Sequence, residues 1–213
     1  MKASLLLTLT LGALLWGGCV FNTTSHQTDS LSNVYRAASQ RPPQVHRIAV
    51  LPVTMDAADL ATEEGRDALE PVLYAALRKR AVAELVVVTR EQLWNLTGKR
   101  EWTIAEPLPQ DFFERLHKAT ACDALVFCHL TYFRAYPPLG VGWKMQLVDV
   151  QKRILWAVDE VFDAGNPIVA AAARGYHAKC FQGPLDDPDT VLMSPGRFGQ
   201  YATAATLETV PSR

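Results

Sequence analysis

Apolar positions follow different rhythms in different parts of the chain, and each rhythm predicts an element. Three short apolar runs, RIAVLPV (Arg47–Val53), ELVVV (Glu84–Val88) and DALVFCHLT (Asp123–Thr131), are rich in β-branched residues and bounded by turn formers. They read as strands buried on both faces. A second rhythm is strict alternation. Trp143, Met145 and Leu147 alternate with Lys144, Gln146 and Val148, and Ile154, Trp156 and Val158 alternate with Leu155, Ala157 and Asp159. With Asp149-Val150-Gln151-Lys152 between them, the two stretches predict an antiparallel hairpin, one face packed and the other partly wet.

Helical spacing fills the gaps. Over Thr62–Arg80, Leu69, Val72, Leu73, Ala76 and Leu77 share one face, and Arg78, Lys79 and Arg80 gather where a helix C-terminus favours cations. Pro71 predicts either a start near Asp67 or a kink. Thr89-Arg90-Glu91-Gln92 is a capping-box pattern that starts a short helix over Leu93 and Trp94, closed by Gly98-Lys99-Arg100. Further helices are predicted at Asp111–Thr120, at Pro167–Phe181 and at Gly196–Leu207 after Ser194-Pro195. The fold class that follows is α/β. It comprises a mixed sheet of about five strands, three buried plus the hairpin, packed with helices in a single domain over 46–210.

The N-terminus obeys neither rhythm. Lys2 precedes Ala3–Leu15, an apolar run broken only by Ser4, Thr8, Thr10 and Gly12, and Trp16-Gly17-Gly18 narrows to small residues before Cys19. A spanning helix needs roughly 20 apolar residues; this run is shorter and has the three-part form of an export signal over 1–18. The segment resembles a bacterial lipoprotein signal with its lipobox, with Trp16 where that family usually carries Leu. The resemblance implies cleavage before Cys19, a diacylglyceryl group on its thiol and an acylated new N-terminus. More than one acyl chain is what durable anchoring requires. From Asn22 to about Val45 the residues turn to Thr, Ser, Asn, Gln, Asp and Pro. Such a stretch buries too little apolar area to offset its ordering entropy, so 19–45 reads as the lipidated Cys and a tether, with room for a short helix around Leu31–Ala38.

Charge and chemistry narrow the picture further. The formal net charge is −1 with no basic stripe, which argues against a nucleic-acid partner. Beyond Cys19 stand Cys122, Cys128 and Cys180, an odd number that leaves at least one thiol unpaired. Three buried free thiols is the expectation. His26, His46, His117, His129 and His177 show no metal-ligand spacing, and the chain has no GxSxG elbow and no glycine-rich phosphate loop. Asp159 and Glu160 would point to opposite faces of a strand. Asp186, Asp187 and Asp189 depart from a calcium-loop pattern and read as a solvated turn. Asp123 reads as a turn or cap residue. No cofactor and no metal are expected, and catalysis is not.

The phrases RIAVLPV, ELVVVTREQL, ATACDALVFCHL and LVDVQKRILWAVDEVFD, in that order, resemble the domain shared by curli-secretion channel lipoproteins and the lipoprotein activator of a bifunctional penicillin-binding protein. Those families carry an "AVLPF" strand, a strand passing into "VxR" and a helix, a "DALV" strand and an "LVDV" hairpin. The match covers about Arg47–Ala164. It implies helices against a mixed sheet on the periplasmic side of a membrane; such phrases are core and turn signals and inform fold, and the function expected beside them is a non-enzymatic, protein-binding role in envelope assembly. The alternative it implies is a subunit of an oligomeric outer-membrane secretion channel or ring, hence a homo-oligomer. No further pair of alternating segments of about 10 residues is present to build a barrel.

One stretch suits a contact with another envelope protein. Tyr132, Phe133, Arg134, Tyr136, Pro137, Pro138 and Leu139 lie between the third strand and the hairpin. Aromatics, an Arg and prolines on a stiff loop match the make-up of interface hot spots. The competing expectation is that Tyr132 and Phe133 finish the strand and pack, leaving Tyr136–Leu139 exposed.

Overall fold

The computed structural model describes residues 31–56, 60–80, 82–181 and 187–212. The leader, Cys19, the tether up to Ser30, and Asp186 lie outside the described residues. In chain order the elements are β1 (Val34–Arg36), β2 (Arg47–Val50), β3 (Thr54–Met55), α1 (Leu60–Arg80), β4 (Glu84–Val87), α2 (Arg90–Thr97), α3 (Phe112–Thr120), β5 (Ala124–Arg134), β6 (Gly140–Asp149), β7 (Ile154–Asp163), α4 (Pro167–Cys180), a 3-10 turn (Pro188–Leu192) and α5 (Pro195–Glu208).

They build one seven-stranded mixed sheet in the order β1-β7-β6-β5-β2-β4, with β3 also beside β5. The α/β class is therefore observed, with two strands beyond the expected five. Both additions have a local cause. β2 runs parallel to Ala124–Val126 and β3 parallel to His129–Leu130, so the two are one strand interrupted at Pro52; a proline has no N–H to give the ladder. β1 replaces the short helix anticipated at Leu31–Ala38. Val34–Arg36 pairs antiparallel with Trp156–Val158, and the open edge of β7 supplies partners that local helical preference cannot match. Packing thus reaches into residues anticipated as tether, where Val45 and the Arg41 side chain are buried.

Alternation along β5 feeds two cores. Val126, Cys128 and Leu130 face a core closed by α1, α4 and α5, which includes Leu69, Leu73, Trp143, Met145, Trp156, Val158 and Phe198. Leu125 and Phe127 face the other, where Leu93, Phe112, Phe113 and Leu116 of α2 and α3 cover Ala49, Leu51, Val88 and Val148. Two helices are too few for seven strands. Among the described residues they cover β4, β2, β5 and one end of β6, and leave the rest of that face open.

The helix ends follow the sequence. Thr89 and Gln92 form the reciprocal capping box, and α2 closes on Gly98 in the left-handed conformation, φ 79°. Asn166 caps α4 and Ser194 caps α5, each followed by Pro at the first helical position. α1 runs through Pro71 from Leu60, earlier than the Asp67 start that proline would favour. Cys122, Cys128 and Cys180 are free, but Cys180 is exposed at the end of α4, a correction to three buried thiols. Cys122 precedes β5 and packs with the α2–α3 core, across the sheet from Cys128.

Candidate interaction surfaces

Most of the charged side chains brought together here hold elements in place. β2, β4 and β5 are parallel, and at their carboxyl ends Glu70 of α1 meets Arg90 of α2. The Glu70 carboxylate accepts from the Val53 N–H at 2.9 Å, the Tyr74 hydroxyl at 2.8 Å and the Arg90 guanidinium at 2.8 Å. Arg90 also donates to the Val53 carbonyl and to Glu101. Burial alone would raise the Glu70 carboxyl, but the hydrogen bonds from Arg90, Val53 and Tyr74 outweigh it and hold its pKa below the ordinary value. The Tyr74 hydroxyl is pushed up by burial and by its bond to Glu70. Every oxygen and N–H named here has a partner inside the cluster. It is a clasp at the strand ends, and the sequence showed only half of it: Arg90 was legible as a capping-box residue, with nothing to pair it to Glu70 twenty positions away.

Asp123 is the matching tie at the opposite ends of the same strands. Its Oδ2 accepts from the His46 and Arg47 N–H groups at 2.8 and 2.9 Å. Burial raises its pKa, and these two backbone donors more than offset that, leaving it lowered. The turn role anticipated for Asp123 is thus performed in space, across the sheet.

Several other titratable groups are engaged as well. His129 Nδ1 is 2.8 Å from the Thr54 hydroxyl and its Nε2 is 3.2 Å from Asp56. His117 bonds the Cys122 carbonyl, and buried His177 stacks on Phe181 beside Arg197. Asp159 pairs with Lys144 on one face of β7, whereas Glu160, on the other, accepts from Ser32 and Asn33. Asp187 caps the 3-10 turn and Asp189 pairs with Arg174. Among the described residues no group of three His, Cys, Asp or Glu side chains is placed to hold a metal ion, and no helix is long and apolar enough to cross a membrane.

The hairpin tip is built as a rigid support. Tyr132, Phe133 and Arg134 belong to β5 and are half-buried. Phe133 lies on Gly65 of α1, where a Cβ would stand 2.4 Å from the ring, and Tyr132 lies in the same way on Gly140. Arg134 sits over the Tyr132 ring and donates to the Pro138 carbonyl and to Asp163, the last residue of β7. Leu139 is fully buried, contrary to its anticipated exposure, because it follows the turn back into the main core. What remains at the tip is Pro137 and Pro138, exposed, and Tyr136, 80% exposed.

A second surface has no single signal in the sequence, and it corrects one expectation. Ile154, expected on the packed face with Trp156 and Val158, is turned to the open face by the register shift beside Val148, which puts Leu155 in the main core instead. On the open half of the sheet, Tyr35 of β1 lies opposite Ala157, Val161 opposite Gly142, and Ile154 opposite Val148. Tyr35 and Val161 are each 53% exposed and Ile154 is 42% exposed. Ile154 opens onto a groove of about 350 Å³ with Ile104, Leu108, Phe113 and Val148 on its walls and Glu106 and Lys152 at its polar side.

No family model matches the chain, and no curated protein matches it. Among solved structures it is similar to the PelC dodecamer from Paraburkholderia phytofirmans, at 11% identity over 84% of this chain and 97% of that one, with a TM-score of 0.48. It is similar to lipoprotein GNA1162 from Neisseria meningitidis at 17% identity, covering 66% of this chain and 99% of that one, TM-score 0.41. The LpoB C-terminal domain from Salmonella enterica matches at 14% identity over 55% of this chain and 81% of that one, TM-score 0.37.

Proposed function

We propose that the chain is an envelope lipoprotein, acylated at Cys19, whose domain works without catalysis by binding another envelope protein at the periplasmic face of the outer membrane. The observation that carries the binding role is the uncovered half of the sheet. Tyr35, Ile154 and Val161 stand on a rigid, hydrogen-bonded strand array, beside a groove with apolar walls. Apolar side chains held on such a surface favour a protein partner over solvent. The sequence supports the anchor through the run ending at Gly17-Gly18-Cys19.

The test places a photocrosslinking residue at Val161 and, separately, at Ile154 in the living cell. Mass spectrometry of the adducts should return one and the same envelope protein from both sites. Adducts at neither site, while the same residue at exposed Met193 behaves identically, would remove the open half-sheet as the binding face.

A further inference from the structure

Three exposed apolar side chains gather at one end of the domain. Tyr136 is on the hairpin tip. Leu60 opens α1, five residues before the glycine that abuts Phe133. Ile168 lies in the first turn of α4, which follows directly from the end of β7, where Gly165 packs against Pro138. Leu60 is 79% exposed, Tyr136 80% and Ile168 54%. Several charges near them are paired: Arg134 with Asp163, and Arg66 with Glu63 and Asp67.

The chain enters the domain toward this same end. Asn33 donates its N–H to Glu160 at 2.6 Å, its carbonyl accepts from Asp159, and Val34 pairs with Val158, within a few residues of the end of β7. Leu31 lies twelve positions after Cys19. A fully extended chain of that length spans at most about 40 Å. An acyl group on Cys19 therefore holds the domain within about 40 Å of the bilayer, with the chain entering on the side of this end.

We propose that the end bearing Leu60, Tyr136 and Ile168 rests on the lipid surface, with the three side chains entering the interfacial layer. The inference rests on the acylation of Cys19 proposed above, and it assigns the hairpin tip to lipid instead of to a protein. A tyrosine with an apolar ring and a polar tip suits that layer. Leu and Ile contribute apolar area without carrying charge into it.

The experiment uses the full acylated protein, with Cys180→Ser to remove the exposed native thiol, in vesicles of phosphatidylethanolamine and phosphatidylglycerol. Single variants Leu60→Cys, Tyr136→Cys and Ile168→Cys carry an environment-sensitive dye. Gln151→Cys, in the β6–β7 turn at the opposite end, is the reference. The expected result is a blue shift at the three sites and loss of intensity to doxyl-labelled lipid, with neither at Gln151→Cys. If the protein floats with the vesicles but all four labels respond as in water, docking is overturned and the anchor stands. Failure to float overturns both. A label at Tyr136→Cys shielded from aqueous iodide yet untouched by doxyl lipid would show that a protein covers this end, and would also overturn the inference.

Discussion

The clasp between Glu70 and Arg90 sets the most quantitative expectation. Arg90→Ala removes a bond to Glu70, whose side chain is only 14% exposed, a bond to the more exposed Glu101, and one to the Val53 carbonyl. A hydrogen bond to a charged, shielded partner contributes about 1.5–3 kcal/mol, whereas exposed pairs contribute about 0.2–1. Glu70 keeps the Val53 N–H and Tyr74 hydroxyl, and water entering the space left by Arg90 restores part of the loss. The net expectation is a destabilisation of about 2–3 kcal/mol, or about 4–12 °C in Tm for a domain of this size. Urea unfolding should show a lower midpoint with unchanged m. In a double-mutant cycle with Glu70→Gln the two sites should couple by about 1–2 kcal/mol. The pH dependence has a definite sign. The Glu70 carboxyl is lowered in the folded state, so its contribution is fully present above its unfolded value of about 4.3 and is lost as pH falls through the lower folded value. Arg90→Ala takes away one of the lowering contacts and brings the folded value closer to the unfolded one, so the Glu70-linked loss of stability on acidification should be smaller in the variant. A loss below about 0.5 kcal/mol, or zero coupling, would mean that the two groups are surface neighbours and not a clasp.

Two further expectations probe packing and exposure. Gly199→Ala would put a Cβ 2.2 Å from Leu69 Cδ2 between α5 and α1; overpacking of about 1–3 kcal/mol should exceed the helix-propensity gain of about 1 kcal/mol. Gly175→Ala on α4 meets nothing within 4 Å and should instead stabilise, so thermal shifts of opposite sign are the check, and equal shifts would contradict the close approach. In the folded protein a maleimide should modify Cys180 promptly and leave Cys122 and Cys128 untouched until denaturant is added. Burial both hides those two and raises their thiol pKa, and early modification of either would refute their placement.

How much was legible depended on whether the determinant was local. The capping box at Thr89–Gln92, the alternation of β6 and that of β7 from Trp156 onward, and the helical face of α1 are set by residues within a few positions of one another, and each appears where the pattern placed it; Ile154 and Leu155 exchange faces because the β6–β7 register shifts beside them. β1 was not legible, because three residues become a strand only when β7 presents a free edge, more than a hundred positions away. Asp123 is an intermediate case. Its residue type announced a hydrogen-bonding turn, but its partners are the N–H groups of His46 and Arg47, which no local signal connects to it. The tip residues divide for a similar reason. Composition alone cannot tell that Phe133 and Tyr132 each find a glycine to lie on, which takes them out of the exposed set and leaves Tyr136.

The two surfaces are related by the direction of the strands. β5, β6 and β7 all run between the end at Tyr136 and the end at Gln151, and the exposed residues of the open half-sheet, Ile154, Tyr35 and Val161, are strung along that axis. If the Tyr136 end meets lipid, the strands stand away from the bilayer and the open half-sheet faces sideways into the aqueous compartment, where a protein partner can reach it. Were the sheet's open half turned to the membrane instead, the Lys144–Asp159 pair at its centre would have to give up water together with the apolar residues around it. The end bearing Leu60, Tyr136 and Ile168 also carries an exposed pair, Arg134 with Asp163, but its two partners keep further bonds inside the protein, to the Pro138 carbonyl and the Gly165 N–H. The extra bonds on Arg134 and Asp163 and the point of chain entry beside Val158 are two independent features that favour the same orientation.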